Sequence, residues 1–175
     1  PRNSAHEETV RLGKRLITHH RAVGELLRGE RDFRAFEVTG TRGKTTTALI
    51  LARVLSARGT VVSHTTRGIE VWKDGRSEVL VSGLSIAPAN VIRAFDAAGK
   101  AGAIDLVSEI SLGGTGLADF GLLTSFAGDY KVAGGSLWAS TAKLQMVSLS
   151  KRGSKLIAGE DVKISADLTF GPGPR

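Results

Sequence analysis

Six consecutive residues, Gly40-Thr41-Arg42-Gly43-Lys44-Thr45, have the types and spacing of a phosphate cradle. A glycine-rich turn between a strand and a helix aims backbone N–H groups at one spot, where the helix dipole also favours negative charge. There Lys44 could reach the outer phosphates of a nucleotide and the Thr45 hydroxyl could ligate Mg²⁺, the tasks a P-loop assigns to lysine and Ser/Thr. Thr46 extends the polar edge of the loop. The full pattern wants another glycine where Val38 stands, so this is the shortened form Gly-x-x-Gly-Lys-Thr. Glu109 follows the apolar run Ile104 to Val107, and a Mg²⁺ held with a nucleotide needs one or two such carboxylates. The plainer alternative for Glu109 is an ion-paired residue at a strand end. Asp129, after a glycine, reads as a turn residue. His19 and His20 diverge on a helix and are expected to be surface or capping groups rather than a chelating pair. Lys143, beside Ala142 and Leu144, reads by pattern alone as a surface lysine with its stem on apolar neighbours.

The elements that must hold these groups follow from periodicity. The first thirty residues look helical, with Leu12 and Leu16 four apart and Val23, Leu26 and Leu27 ahead of a stop at Gly29; Gly13 and Gly24 weaken that pattern. Phe33 to Thr39 reads as a strand feeding the glycine-rich loop. Ala48, Leu51, Ala52 and Leu55 then mark an amphipathic helix ended by Gly59. Thr60 to His64 is a strand, and Ile69–Trp72 with Glu78–Val81 flank the turn Lys73-Asp74-Gly75-Arg76 as a hairpin. Pro88 opens a helix with Val91, Ala94, Phe95 and Ala98 on one stripe. Ile104–Ile110 and Phe120–Thr124 have the apolar runs of strands buried on both faces of a parallel sheet. Ser136 to Leu149 returns to helix, before short strands near Lys155–Ala158 and Leu168–Phe170. Strands alternating with helices predict an α/β domain with a mostly parallel sheet and its ligand at the carboxyl ends of the strands.

The 175 residues suit one domain, and 41% hydrophobic with 23% charged residues excludes a disordered or fibrous chain. Zero cysteines exclude disulfides, thiolate metal sites and thiol catalysis. No stretch has the ~18 apolar residues of a membrane span, and the start has no signal-peptide pattern, so no membrane partner and a cytoplasmic location are expected. The net charge is +7, with twelve basic and six acidic groups in residues 1–58, and such a field favours an anionic partner. Nucleic acid is not expected, because aromatics are only 5% and do not interleave with Lys or Arg.

Taken in chain order, Glu37 to Thr47, Glu109-Ile110-Ser111, Leu122-Leu123-Thr124-Ser125, Asp129-Tyr130 and Lys143 resemble the central domain of the Mur ligase family. The resemblance spans residues 36–170. It implies a P-loop-type, mostly parallel sheet flanked by helices, with a β-hairpin insertion. Residues 1–35 would be a helical segment packed on that core, and 171–175 a tail or the start of a linker to a C-terminal domain. Members are ATP-dependent ligases that phosphorylate a substrate carboxylate and let a nucleophile displace phosphate from the acyl phosphate. The likeness implies ATP and Mg²⁺ as cofactors and a small-molecule carboxylate as substrate. It assigns the phosphates to Gly40, Thr41, Arg42, Gly43, Lys44 and Thr46, Mg²⁺ to Thr45 and Glu109, and catalytic roles to Lys44 and Lys143. Lys143 matches a lysine that members often carbamylate. This sequence departs from the family's usual Thr-Asn and Asp-His, having Thr124-Ser125 and Asp129-Tyr130, and tyrosine is a poor Mg²⁺ ligand. Leu112 to Gly116 and Thr18 to Gly24 resemble an archaeal Mur-like branch. That branch includes the ligase closing the last carbocyclic ring of the nickel-tetrapyrrole coenzyme of methanogenesis. The P-loop by itself is equally that of an NTPase switch whose hydrolysis drives a conformational change.

Overall fold

The alternating patterns become a seven-stranded sheet with helices on both faces. The computed structural model describes residues 11–14, 17–29 and 31–164. Leu16 of the N-terminal pattern, the expected strand at Leu168–Phe170 and the tail at 171–175 lie outside these. In chain order the elements are α1 (His19–Leu26), β1 (Arg34–Thr39), α2 (Lys44–Leu55), β2 (Val61–Thr65), β3 (Gly68–Lys73), β4 (Arg76–Ser82), α3 (Asn90–Lys100), β5 (Asp105–Glu109) and β6 (Phe120–Leu123). There follow β7 (Lys131–Val132), β8 (Leu137–Trp138), α4 (Ala139–Lys143), α5 (Gln145–Ser148) and β9 (Lys155–Ala158). The sheet order is β4-β3-β2-β5-β1-β6-β9, and β7 pairs with β8 in a separate ribbon.

Five strands, β2, β5, β1, β6 and β9, run parallel, while β3 and β4 add an antiparallel hairpin at the β2 edge. The hairpin turn needs positive φ at two successive residues, and Asp74 (φ 47°) with Gly75 (φ 75°) supplies both. Neighbouring residues on β2 serve opposite faces. Val61 packs with Ala48 and Ala52 of α2 and with Phe36, Val38, Trp72 and Val107, whereas Val62 packs with Ala94 and Ala98 of α3 and with Ile69 and Leu106. Alanines at i, i+4 on each helix let the helix lie close to the sheet.

Charge is settled at the amino edge of the sheet. Arg34 donates to both oxygens of Asp105 at 2.7 and 2.9 Å, a bidentate pair set by the Arg34–Asp105 register of β1 and β5. Asp119 accepts from Arg31, Lys151 and the Ala35 amide.

Two expectations need correction. The helix expected over Ser136–Leu149 is a strand pair at Leu137–Trp138 and two short helices, broken where Leu144 ends α4 and begins α5. Within the described part of the N-terminal pattern, the apolar face of the helix His19–Leu26 is not the one expected: Leu26 is 74% exposed, while Gly24 is buried.

Candidate nucleotide and metal site

Strand β1 lies between β5 and β6, so the loop leaving its carboxyl end opens between the ends of both neighbours. Gly40 turns the chain with φ 148°, and a Cβ there would stand 2.1 Å from Thr124 Oγ1, so only glycine fits. Gly43 precedes α2 in the left-handed conformation (φ 79°). No side chain caps α2, which leaves the first-turn amides for a ligand.

The loop is braced from the β6 end. The Thr41 amide and hydroxyl donate to the Ser125 carbonyl at 2.8 and 3.0 Å, and the Thr124 hydroxyl is 2.6 Å from the Arg42 carbonyl. Thr124, which stands at the strand end and matches the threonine of the family's Thr-Asn pair, donates its hydroxyl to the Thr39 and Arg42 carbonyls and so fixes the shape of the glycine-rich loop.

Glu109 ends β5 opposite Val38, which brings its carboxylate beneath the start of α2. It is buried, and its Oε2 accepts from the Thr45 hydroxyl at 2.9 Å and the Thr66 amide at 3.3 Å. Two oxygen donors that meet in this way fit a Mg²⁺ whose remaining ligands are water and nucleotide phosphate. Among the described residues no group of three His, Cys, Asp or Glu could hold a metal by itself.

Lys143 is not the surface lysine its pattern suggests. It is 0% exposed, and its Nζ donates to the Ser111 carbonyl at 2.5 Å. Burial lowers its pKa to about 8, the Lys44 charge pushes the same way, and Asp129 and Glu109 oppose both. Lys143 thus feels the charges of Lys44, Asp129 and Glu109. Asp129 is more than a turn residue: it accepts from the amides of Tyr130 and Ser140 and from the Ser140 hydroxyl, fixing the start of α4. Despite a burial cost, the bonds from Ser140 hold its pKa below the ordinary carboxylate value. Tyr130 is 47% exposed.

Three further buried groups surround this corner. Glu37 accepts from the Thr115 amide at 3.0 Å and from the Thr115 hydroxyl, tying the β1 strand to the glycine-rich stretch after β5. Burial raises its pKa, and the two Thr115 bonds moderate the rise. His64 is fully buried with Nε2 3.1 Å from the Ser85 carbonyl, and burial lowers its pKa against the pull of that carbonyl and Glu109. His20, expected at the surface or in a cap, is buried too. The cap is Thr18, whose hydroxyl accepts from the Arg21 amide at 3.3 Å. That cap was the signal available in the sequence, since it sets the frame placing His20, Val23, Gly24 and Leu27 on one helical face.

No family model matches the chain. Over 161 residues, 88% of this chain, it is 38% identical to the coenzyme F(430) synthetase of Methanosarcina acetivorans, and it spans 34% of that protein's length. Two solved structures of bifunctional folylpolyglutamate synthase/dihydrofolate synthase superpose on 80% of the chain at 19% identity. One is ligand-free, from Yersinia pestis, with a TM-score of 0.55 and 42% of its chain covered. The other holds Mn, AMPPNP and L-glutamate, with a TM-score of 0.56 and 41% of its chain covered. The sequence kinship with the methanogen synthetase, on a mostly parallel sheet whose fold those synthases share, places this chain in the Mur ligase family, as its central α/β domain.

Proposed function

We propose that the chain is the nucleotide-binding domain of an ATP-dependent ligase that activates a substrate carboxylate as an acyl phosphate. The observation that carries this reading is the Thr45–Glu109 pair at the carboxyl edge of the sheet, next to Lys44 in the chain, with Lys143 held on the Ser111 carbonyl two residues beyond Glu109. Phosphoryl transfer asks the protein mainly for positioning and charge neutralisation, and these groups are suited to both. The amides of the Gly40–Thr46 loop and the Lys44 ammonium bind the phosphates. Thr45 and Glu109 would hold Mg²⁺, which would supply charge neutralisation for the transferring phosphoryl group. A carboxylate oxygen of the substrate attacks the γ-phosphorus as the bond to the ADP oxygen breaks. A nucleophile then adds to the acyl carbon, and phosphate leaves.

For the acyl group we propose a carboxylate side chain of a nickel tetrapyrrole, with ring closure as the outcome, as the resemblance to the archaeal Mur-like branch implies; the 38% identity to a coenzyme F(430) synthetase supports this reading. The excess of basic groups in residues 1–58 is compatible with a polyanionic macrocycle. Lys143, buried and with its pKa lowered toward neutrality, has the neutral amine population that CO₂ addition requires, and we assign it as the carbamylated lysine.

Calorimetric titration of Mg²⁺-ATP into the chain tests this reading. Lys44→Ala is expected to weaken binding by about 10–100-fold, the worth of a charge-assisted phosphate contact. Equal binding by both proteins would overturn the assignment of the loop. ADP release that is indifferent to added nickel tetrapyrrole carboxylate, once nucleotide binding is shown, would favour an NTPase switch instead.

A further inference from the structure

Helix α1 lies against the loop that follows β5. A Cβ on Gly24 would stand 1.9 Å from the Thr115 carbonyl oxygen, and Val23 and Leu27 pack with Val91 and Ile110. The next residue, Ser111, is the one whose carbonyl accepts from Lys143. His20 shares the packed face of α1 with Val23 and Gly24, at i, i+3 and i+4, which is the face turned to the 110–115 segment that also carries the Ser111 carbonyl held by Lys143. There it is 6% exposed, and Nε2 is sealed from solvent without a hydrogen-bond partner. Burial lowers the ring's pKa to about 4, with the charges of His19 and Lys143 acting in the same direction, so the ring is neutral near physiological pH. Buried polar atoms are rarely left unpaired, and one aimed into a functional site points to a missing ligand.

We propose that His20 is a positioning residue for the carbamate on Lys143, its Nε2–H donating to a carbamate oxygen. The inference rests on the assignment of Lys143 as the carbamylated lysine. In that reaction the neutral Nζ attacks the carbon of CO₂, an N–C bond forms, and one C=O electron pair moves onto oxygen. A proton leaves the nitrogen for water. The product is an anion in a sealed corner, and its remaining N–H continues to donate to the Ser111 carbonyl. The new oxygens need donors. Asp129 and Glu109 would repel them, Lys44 is assigned to the phosphates, and Tyr130 is half exposed. Neutral His20 has the unpaired ring nitrogen, which in the Nε2–H tautomer supplies the donor, and it is carried by a segment outside the P-loop domain's own motifs.

The test is carbon NMR of the ¹⁵N-lysine-labelled chain under ¹³CO₂, where a carbonyl signal coupled to ¹⁵N reports the N–C bond. Lys143→Ala identifies the residue. His20→Leu is expected to lower carbamate occupancy about tenfold or more at fixed CO₂, as loss of a hydrogen bond to a charged group does. His20→Gln, whose amide nitrogen reaches about where Nε2 stands, is expected to restore most of it. Cooperative thermal unfolding checks that each variant folds. Should the leucine variant fail that check, His20→Asn, polar but too short, takes its place with the same expectation. A carbamate undiminished without His20 overturns the proposal alone. Absence of carbamate in the unmutated chain overturns the assignment of Lys143 and the proposal with it.

Discussion

Burying an ammonium with one neutral partner costs stability, and Lys143→Met measures that cost. The variant keeps an unbranched stem and removes the charge. A fall in pKa from 10.5 to about 8 corresponds to about 3 kcal/mol of penalty on the charged form, at ~1.36 kcal/mol per pH unit. The variant also loses the bond to the Ser111 carbonyl, worth about 1 kcal/mol, so near pH 7 it is expected to be more stable by about 2 kcal/mol. The sign reverses with pH. As pH falls, the unfolded chain takes up its lysine proton near 10.5 and the folded chain only near 8. Between those values the unfolded state holds more protons, so stability contributed at this site rises with pH across the window. Above about pH 10.5 the penalty is gone and the variant should be less stable by about 1 kcal/mol. Urea unfolding of both proteins in CO₂-free buffer, followed by circular dichroism from neutral to about pH 10.5, reads the difference directly. A variant that is less stable by the same amount at every pH would refute the reasoning, because it would mean that the ammonium is fully compensated where it lies.

Glu109→Gln should leave metal-free nucleotide binding within about twofold while weakening the Mg²⁺-dependent increment by about tenfold, read by calorimetry with and without Mg²⁺. Gly24→Val places a side chain on the Thr115 carbonyl and should cost about 2 kcal/mol or more of unfolding free energy, with urea denaturation as the measurement. Asp119 is held below the ordinary carboxylate pKa, because bonds from Lys151, the Ala35 amide and Arg31 outweigh its burial. Its contribution is therefore present above that ordinary value and lost as pH falls through the lowered one, so Asp119→Asn should destabilise at neutral pH and converge with the unmutated chain in acid.

Where the sequence carried the signal in local chemistry, the reading was direct. The loop at Gly40–Thr45 has a glycine that nothing else could replace, the strand before it is a short run that ends in that glycine, and the helix after it buries Ala48 and Ala52 at i, i+4. The hairpin was announced by Asp74-Gly75, and the ends of β5 and β6 by apolar runs. The misreadings are those in which tertiary contact overrode pattern. Gly24 looks like a weak point in a helix, yet it is the residue that lets α1 touch Thr115, and the same contact turns Leu26 out to solvent. Lys143 and His20 are polar residues whose burial no periodicity foretells, since the partners that seal them are the Ser111 loop and the facing helix, distant in sequence. Between Ser136 and Leu149 the apolar spacing is helical, but Asp129 fixes Ser140 as a helix start and confines the preceding residues to the β7–β8 ribbon.

The sheet order explains why these misreadings gather at the functional corner. Placing β1 between β5 and β6 sends the phosphate loop, the Glu109 carboxylate and the Thr124 brace to one edge, and each comes from a different part of the chain. The amino edge uses its charges on itself, through Arg34–Asp105 and the Asp119 cluster. At the carboxyl edge, Lys143 has a carbonyl for a partner and His20 Nε2 has none, so burial there holds polar groups short of full satisfaction. A corner tuned for its own stability would have filled those positions with apolar side chains, or paired them, at no loss to the fold. Such groups beside the proposed phosphate loop suit a site that takes up added charge, as the proposed carbamate would bring, and the stability gain predicted for Lys143→Met and the carbamate loss predicted for His20→Leu would then be two faces of one arrangement.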